Sequence, residues 1–213
     1  MQIAILLYDQ FTALDAIGPY EVLSRLSGAE VIFTAERPGP VRTDTGMLAV
    51  TADAGLADVP HPDIVLVPGG PGNEAQMDDG PVRRWLRAAD AASSWTTSVC
   101  TGSLILAAAG LLAGRRATSH WLALDRLETL GAHPVSERVV IDGKYVTAAG
   151  VSAGIDMALD LSGRIAGAAT AQAIQLMIEY DPRPPYAAGS PSSAPPDLVA
   201  SMRRRSRHAA HAG

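Results

Sequence analysis

Trp95-Thr-Thr-Ser-Val-Cys-Thr-Gly-Ser-Leu104 is the stretch on which the fold turns. A β-favouring run, Thr96 to Val99, ends at Cys100, and an apolar run with helical character, Leu104 to Leu112, follows. Ser98 and Gly102 stand two residues to either side of the cysteine. A strand that turns sharply into a helix crowds its neighbours, so small flanking residues around a projecting Cys100 fit a nucleophile elbow. A thiol at a helix N-terminus also meets unpaired N–H groups that favour the thiolate. A lone cysteine is equally at home as a small buried apolar residue, and the spacing leaves both readings open.

Working outward, the pattern is that of alternating strands and helices. Gln2–Leu7, Ala29–Ala35 and Asp63–Val67 have strand length and composition, and the last runs into the glycine loop Pro68-Gly-Gly-Pro-Gly72. Met47–Thr51 is a candidate short strand, and Pro38-Gly-Pro40 a loop. Helices are expected over Thr12–Ser24, with Pro19 in an early turn, and over Val82–Ala92, Thr101–Leu112, Thr118–Leu130, Val151–Ile165 and Ala168–Tyr180. Asp142-Gly143 between Val135–Ile141 and Lys144–Ala148 is a hairpin signal. The class is therefore α/β, with a mostly parallel central sheet, helices on both faces and an inserted β-hairpin. Residues 1–180 form one domain, and the Pro-, Ala-, Ser- and Gly-rich residues 181–213 form its arm or tail. In such sheets the site lies at the carboxyl ends of the strands, where Pro68–Gly72 and Cys100 both fall.

Composition narrows the function. A net charge of −5 argues against a general nucleic-acid surface. One cysteine allows no internal disulfide, which fits a reducing cytoplasm. The N-terminus lacks the basic region and cleavage site of a signal peptide. No apolar run reaches the ~18 residues that span a bilayer, so no membrane partner is expected. No ligand cluster has zinc-like spacing, and Gly69–Gly72 lacks the Lys-Ser/Thr of a phosphate loop, so neither a metal nor another cofactor is expected.

The candidate chemistry gathers around Cys100. Gly69 and Gly70 let backbone N–H groups approach a substrate and form an oxyanion cradle, or simply make a tight turn. Thr101 either completes that cradle and touches substrate or begins a helix. Asp15, in the apolar run Leu14-Asp-Ala-Ile-Gly18, is either a carboxyl with a raised pKa suited to proton exchange with a thiol, or a helix cap. Among five histidines, His120 is the best placed to support the site. His61 and His133 read as loop residues, and His208 and His211 lie in the tail. Ser98 is a second supporting candidate. Gly150-Val-Ser-Ala-Gly154 fits the serine-hydrolase elbow literally, but only tail histidines follow Ser152, which reads as a helix cap. Arg203, Arg204, Arg205 and Arg207 read as a solvated helix end.

These residues resemble the ThiJ/PfpI superfamily, with its class I glutamine amidotransferase-like, flavodoxin-type sheet. The resemblance rests on Leu14-Asp15 with Gly18-Pro19, Pro68-Gly-Gly70, Thr97-Ser-Val-Cys-Thr-Gly-Ser103, His120-Trp121, Ala153-Gly-Ile-Asp156 and the late Ala188-Gly-Ser-Pro191. It is strongest towards the isonitrile-hydrating branch. It implies Cys100 as nucleophile, Asp15 as its carboxylate partner, Thr101 beside it, and Gly69 and Gly70 in the oxyanion loop. It further implies a small apolar isonitrile as substrate and a homodimer. Protease-like members place histidine after the cysteine, where this chain has Thr101. The rival expectations are a glyoxalase- or deglycase-like enzyme on small aldehydes, a ligand-sensing domain of the kind that precedes a helix-turn-helix in regulators, and a redox sensor. About 30 residues after Tyr180 are too few for a helix-turn-helix domain, and the chain is shorter at its end than the family pattern, which leaves a final helix undefined by the resemblance.

Overall fold

The computed structural model describes residues 1–206. β1 (Gln2–Leu6), β2 (Glu30–Ala35), β5 (Ala54–Gly55), β6 (Ile64–Val67), β7 (Trp95–Val99), β10 (Val139–Asp142) and β11 (Tyr145–Ala148) form one seven-stranded sheet. Two small pairs stand apart: β3 (Gly39–Arg42) with β4 (Ala49–Ala52), and β8 (Arg116–Ala117) with β9 (His133–Pro134). The main sheet runs β10-β11-β7-β6-β1-β2-β5, parallel at every neighbour except β10 with β11. Ile64 to Val67 are all buried, as a strand covered on both faces requires.

The helices are α1 (Ala13–Leu23), α2 (Asn73–Gln76), α3 (Pro81–Ala92), α4 (Gly102–Ala108), α5 (Arg126–Thr129), α6 (Ala153–Ala166), α7 (Ala168–Met177) and α8 (Pro196–Arg205). In α3, Pro81 opens the helix and Val82, Trp85, Leu86 and Ala89 make its buried stripe at helical spacing. α1 and α6 approach closely because both carry glycine at the crossing. A Cβ on Gly18 would meet Ile155 at 3.1 Å, and one on Gly154 would meet Val99 at 3.0 Å and Pro19 at 3.1 Å.

The α/β class, the parallel sheet and the Asp142-Gly143 hairpin match expectation, with Gly143 at φ +63°. Several local expectations do not. Pro19 lies inside α1 rather than in its first turn, so the helix gives up one backbone bond there. The helix expected over Thr118–Leu130 shrinks to Arg126–Thr129. The chain leading into it is held elsewhere: Arg116 and Ala117 pair with His133 and Pro134, and the Thr118 N–H donates to Thr147 Oγ1 at 2.9 Å. Gly39 and Pro40, expected in a loop, belong to β3. α4 is shorter than expected, ending before Gly110 at φ +83°. Ser152 occupies the first cap of α6 but makes no capping bond; its hydroxyl meets Arg138 Nη2 at 3.3 Å. Residues 181–213 are expected as an arm or tail, and within them a further helix, α8, forms. Arg203–Arg205 make its exposed last turn. Arg207, His208 and His211 lie outside the described residues.

Candidate active site

β11, β7, β6 and β1 are consecutive in the sheet, and the segments leaving their carboxyl ends converge. Cys100 follows β7 with φ +57°, one of three non-glycine residues in the left-handed region among the described residues. That conformation costs on the order of 1–3 kcal/mol and persists only where its surroundings hold it. Here the Cys100 N–H donates to the Ala148 and Ala149 carbonyls at 3.1 and 2.8 Å. Its carbonyl accepts from the hydroxyls of Ser103 and Ser119, each at 3.1 Å. Gly102 is small for a reason: a Cβ there would fall on the Val67 carbonyl oxygen.

Asp15 is no helix cap. It sits in the first turn of α1, fully buried, and its Oδ2 accepts the Gly69 N–H at 2.8 Å. Its Oδ1 is buried without a conventional hydrogen bond among the described residues, and the carboxyl meets the Cys100 thiol. Burial raises its pKa from 3.8 to about 7. The Gly69 N–H opposes that rise, the negative charge of Asp44 adds to it, and the Cys100 thiol opposes it. Asp44 is held nearby through the Thr12 hydroxyl, which donates to its Oδ2 at 2.8 Å.

The cradle expected from Gly69 and Gly70 is arranged differently. The Gly69 N–H is engaged by Asp15, and the Gly70 N–H donates to Thr101 Oγ1 at 3.0 Å. The glycines are required by close approach instead: a Cβ on Gly69 would lie 2.5 Å from the Thr101 nitrogen and 2.8 Å from Cys100 Cβ. The N–H groups that reach the thiol belong to Thr101 and Val151. Val151 is a functional candidate that spacing did not single out. The one available signal was that Gly150–Gly154 leaves a strand beside β7 and so ends at the same sheet edge.

Burial first, and then the charge of Asp15, push the Cys100 thiol well above its ordinary value, against the pull of the Thr101 and Val151 donors. This reverses the direction expected from a helix N-terminus. α4 is only seven residues long, and the thiol is almost wholly buried beside a carboxyl. The resting site therefore holds a neutral thiol next to a carboxyl poised to take or give a proton near neutrality.

Above Cys100 lies a cavity of about 280 Å³, lined by Thr12, Thr101, His120, Leu122, Val151 and Ser206 among others. His120 thus joins Cys100 in one pocket. Its Nδ1 accepts the Leu122 N–H at 3.3 Å, so in the neutral ring the proton sits on Nε2. Ser98 does not reach this pocket; its hydroxyl is buried without a hydrogen-bond partner among the described residues. His61 and His133 also lie elsewhere. Among the described residues no cluster of three or more His, Cys, Asp or Glu side chains is arranged to hold a metal. None of their helices is long and apolar enough to cross a membrane.

A doubly wound sheet with a strained cysteine at the end of a central strand and a carboxyl beside its thiol defines a class of cysteine-centred α/β proteins. Residues 1–163 match the DJ-1/PfpI family, and the chain belongs to that family. An isonitrile hydratase from Pseudomonas putida is 45% identical over 96% of this chain and 90% of its own. The transcriptional regulator CdhR of Pseudomonas aeruginosa, of the helix-turn-helix type, is 37% identical over 61% of this chain but only 38% of its own. A crystal structure of a ThiJ/PfpI family protein from Pseudomonas syringae, 39% identical, superposes with a TM-score of 0.93 over 95% of this chain and 84% of that one.

Proposed function

We propose that this protein is an isonitrile hydratase, a lyase that adds water to R–N≡C to give the N-substituted formamide. The observation that carries the reading is the Cys100 thiol, which lines one small pocket, with the buried Asp15 carboxyl against it. The likeness to the Pseudomonas putida enzyme supplies the substrate class. The terminal carbon of an isonitrile must gain both a nucleophile and a proton. Sulfur of Cys100 bonds to that carbon, and the thiol proton, relayed by Asp15, is delivered to it, giving the thioimidate R–N=CH–S–Cys100. Water then adds to the same carbon. Its proton passes to nitrogen, and the C–S bond breaks to release R–NH–CHO and restore the thiol. Donors from Thr101 and Val151 stabilise negative charge on sulfur as that bond forms and breaks. The reaction calls for neither a metal nor an organic cofactor.

Thr101, rather than histidine, follows the nucleophile and orders the Gly70 loop. The apolar lining from Leu122 and Val151 suits an R group that offers few hydrogen bonds. A homodimer fits the same family reading, since α7 exposes Leu176 and Met177. The test is formamide production from cyclohexyl isonitrile by the protein and by Cys100→Ala. Cysteine-dependent turnover is expected. Equal turnover by the alanine variant, or turnover of methylglyoxal in place of the isonitrile, would overturn the proposal.

A further inference from the structure

The pocket over Cys100 is closed on one side by a residue that none of the four converging loops supplies. Ser206 lines it, just beyond the last turn of α8. α8 buries no residue of its own, and Leu198 and Met202 are both substantially exposed. Its position over the site is therefore not set by core packing. One visible tether is Arg203, whose guanidinium carbon stands 5.9 Å from the centre of the Trp121 ring, within the range of a cation–π contact. Trp121 lies between His120 and Leu122, both of which line the pocket. The Ser206 N–H donates to the Arg203 carbonyl at 3.1 Å, so the tethered residue and the wall residue share one turn.

We infer that Ser206 is a specificity-determining residue, the wall that sets how large an R group can stand over Cys100, and that Arg203 is its positioning residue through Trp121. The inference rests on the hydratase reading for the nature of R, but the wall itself does not depend on the reaction. The small serine side chain leaves room in a cavity of about 280 Å³, which suits a compact substituent. A larger residue would take that room from the substrate, and a loosened helix would add to it.

The experiment compares the full chain with its Ser206→Trp and Arg203→Ala variants. The main readout is alkylation of Cys100 at alkaline pH by iodoacetamide and by bulky N-naphthyl iodoacetamide, because neither rate requires hydration. Thermal melts accompany it to show that all three proteins are folded. Ser206→Trp is expected to lower the ratio of bulky to small alkylation at least tenfold. Arg203→Ala is expected to raise that ratio about threefold, the scale of one exposed cation–π contact. KM for tert-butyl and naphthyl isonitriles should move in the same sense, with kcat for the smaller substrate little changed in Arg203→Ala. Ratios unchanged in both variants, or moved in the opposite sense, would overturn the inference. Shifted alkylation ratios in a protein that makes no formamide would refute the hydratase reading and leave the wall standing.

Discussion

Replacing Asp15 with asparagine should inactivate the protein and, above neutral pH, stabilise it. The side chain is fully buried, and its pKa rises from 3.8 to about 7 because burial penalises the carboxylate. Between those two values the folded chain holds a proton that the unfolded chain has released, so stability falls as pH rises through that window and levels off above it. The full loss is about 4 kcal/mol, at 1.36 kcal/mol for each tenfold change in proton affinity. Asparagine is neutral throughout, and its carbonyl oxygen can still accept the Gly69 N–H. The assay is thermal unfolding of both proteins from pH 4 to pH 8.5. Groups common to both proteins cancel in the difference. The variant's advantage should grow with pH and approach, at its ceiling, on the order of 10 °C for a chain of this size. A difference that stays flat with pH would show that Asp15 titrates normally in the folded protein. The proton relay proposed for it would then lose its basis.

Gly102→Ala should cost about 3 kcal/mol or more, or prevent folding, because its Cβ falls on the Val67 carbonyl; a chemical denaturation curve within 1 kcal/mol of the parent would contradict this. Thr101→Val removes the buried hydroxyl that accepts the Gly70 N–H and should lose about 1–3 kcal/mol, whereas Thr101→Ser retains it; equal melting temperatures for the two variants would count against the role assigned to the hydroxyl. At the opposite end of β7, Asp90 accepts the Thr96 hydroxyl at 2.6 Å and the Tyr145 hydroxyl at 3.1 Å, and it pairs with Lys144 at 3.2 Å. Asp90→Ala should therefore cost about 2–4 kcal/mol while leaving the Cys100 alkylation rate unchanged, and a changed rate would show that the two sheet ends are coupled.

What the sequence disclosed were features written in adjacent residues. Small neighbours around Cys100, a glycine loop after an apolar strand, and Asp-Gly between β-rich runs each encode a local backbone requirement, and each is found in the structure. Asp15 was legible as an anomaly, a carboxylate in an apolar run, because burial of charge is unusual enough to signal itself. What stayed hidden depends on strand order. Whether the Gly69 N–H faces solvent or Asp15, and whether Val151 stands over the sulfur, is decided by β11, β7, β6 and β1 being neighbours. The hydroxyls of Ser103 and Ser119 on the Cys100 carbonyl are hidden for the same reason. The helix expected over Thr118–Leu130 failed because the backbone of Arg116–Thr118 is spent on contacts with β9 and Thr147. α8 follows a Pro-, Ala- and Ser-rich segment that reads as an arm or tail, and nothing in its own spacing reveals the pocket it reaches.

The raised proton affinity of the Cys100 thiol exists only in the folded chain, where burial and Asp15 create it. Unfolding returns the sulfur to the ordinary thiol range, near pH 8.5, so the denatured chain is the more readily ionised and the more readily oxidised form. Because the chain has one cysteine, an exposed thiol has no intramolecular partner, and any disulfide it forms joins two molecules. Covalent dimers on a non-reducing gel would therefore count molecules that had opened, which makes this single sulfur a built-in recorder of unfolding.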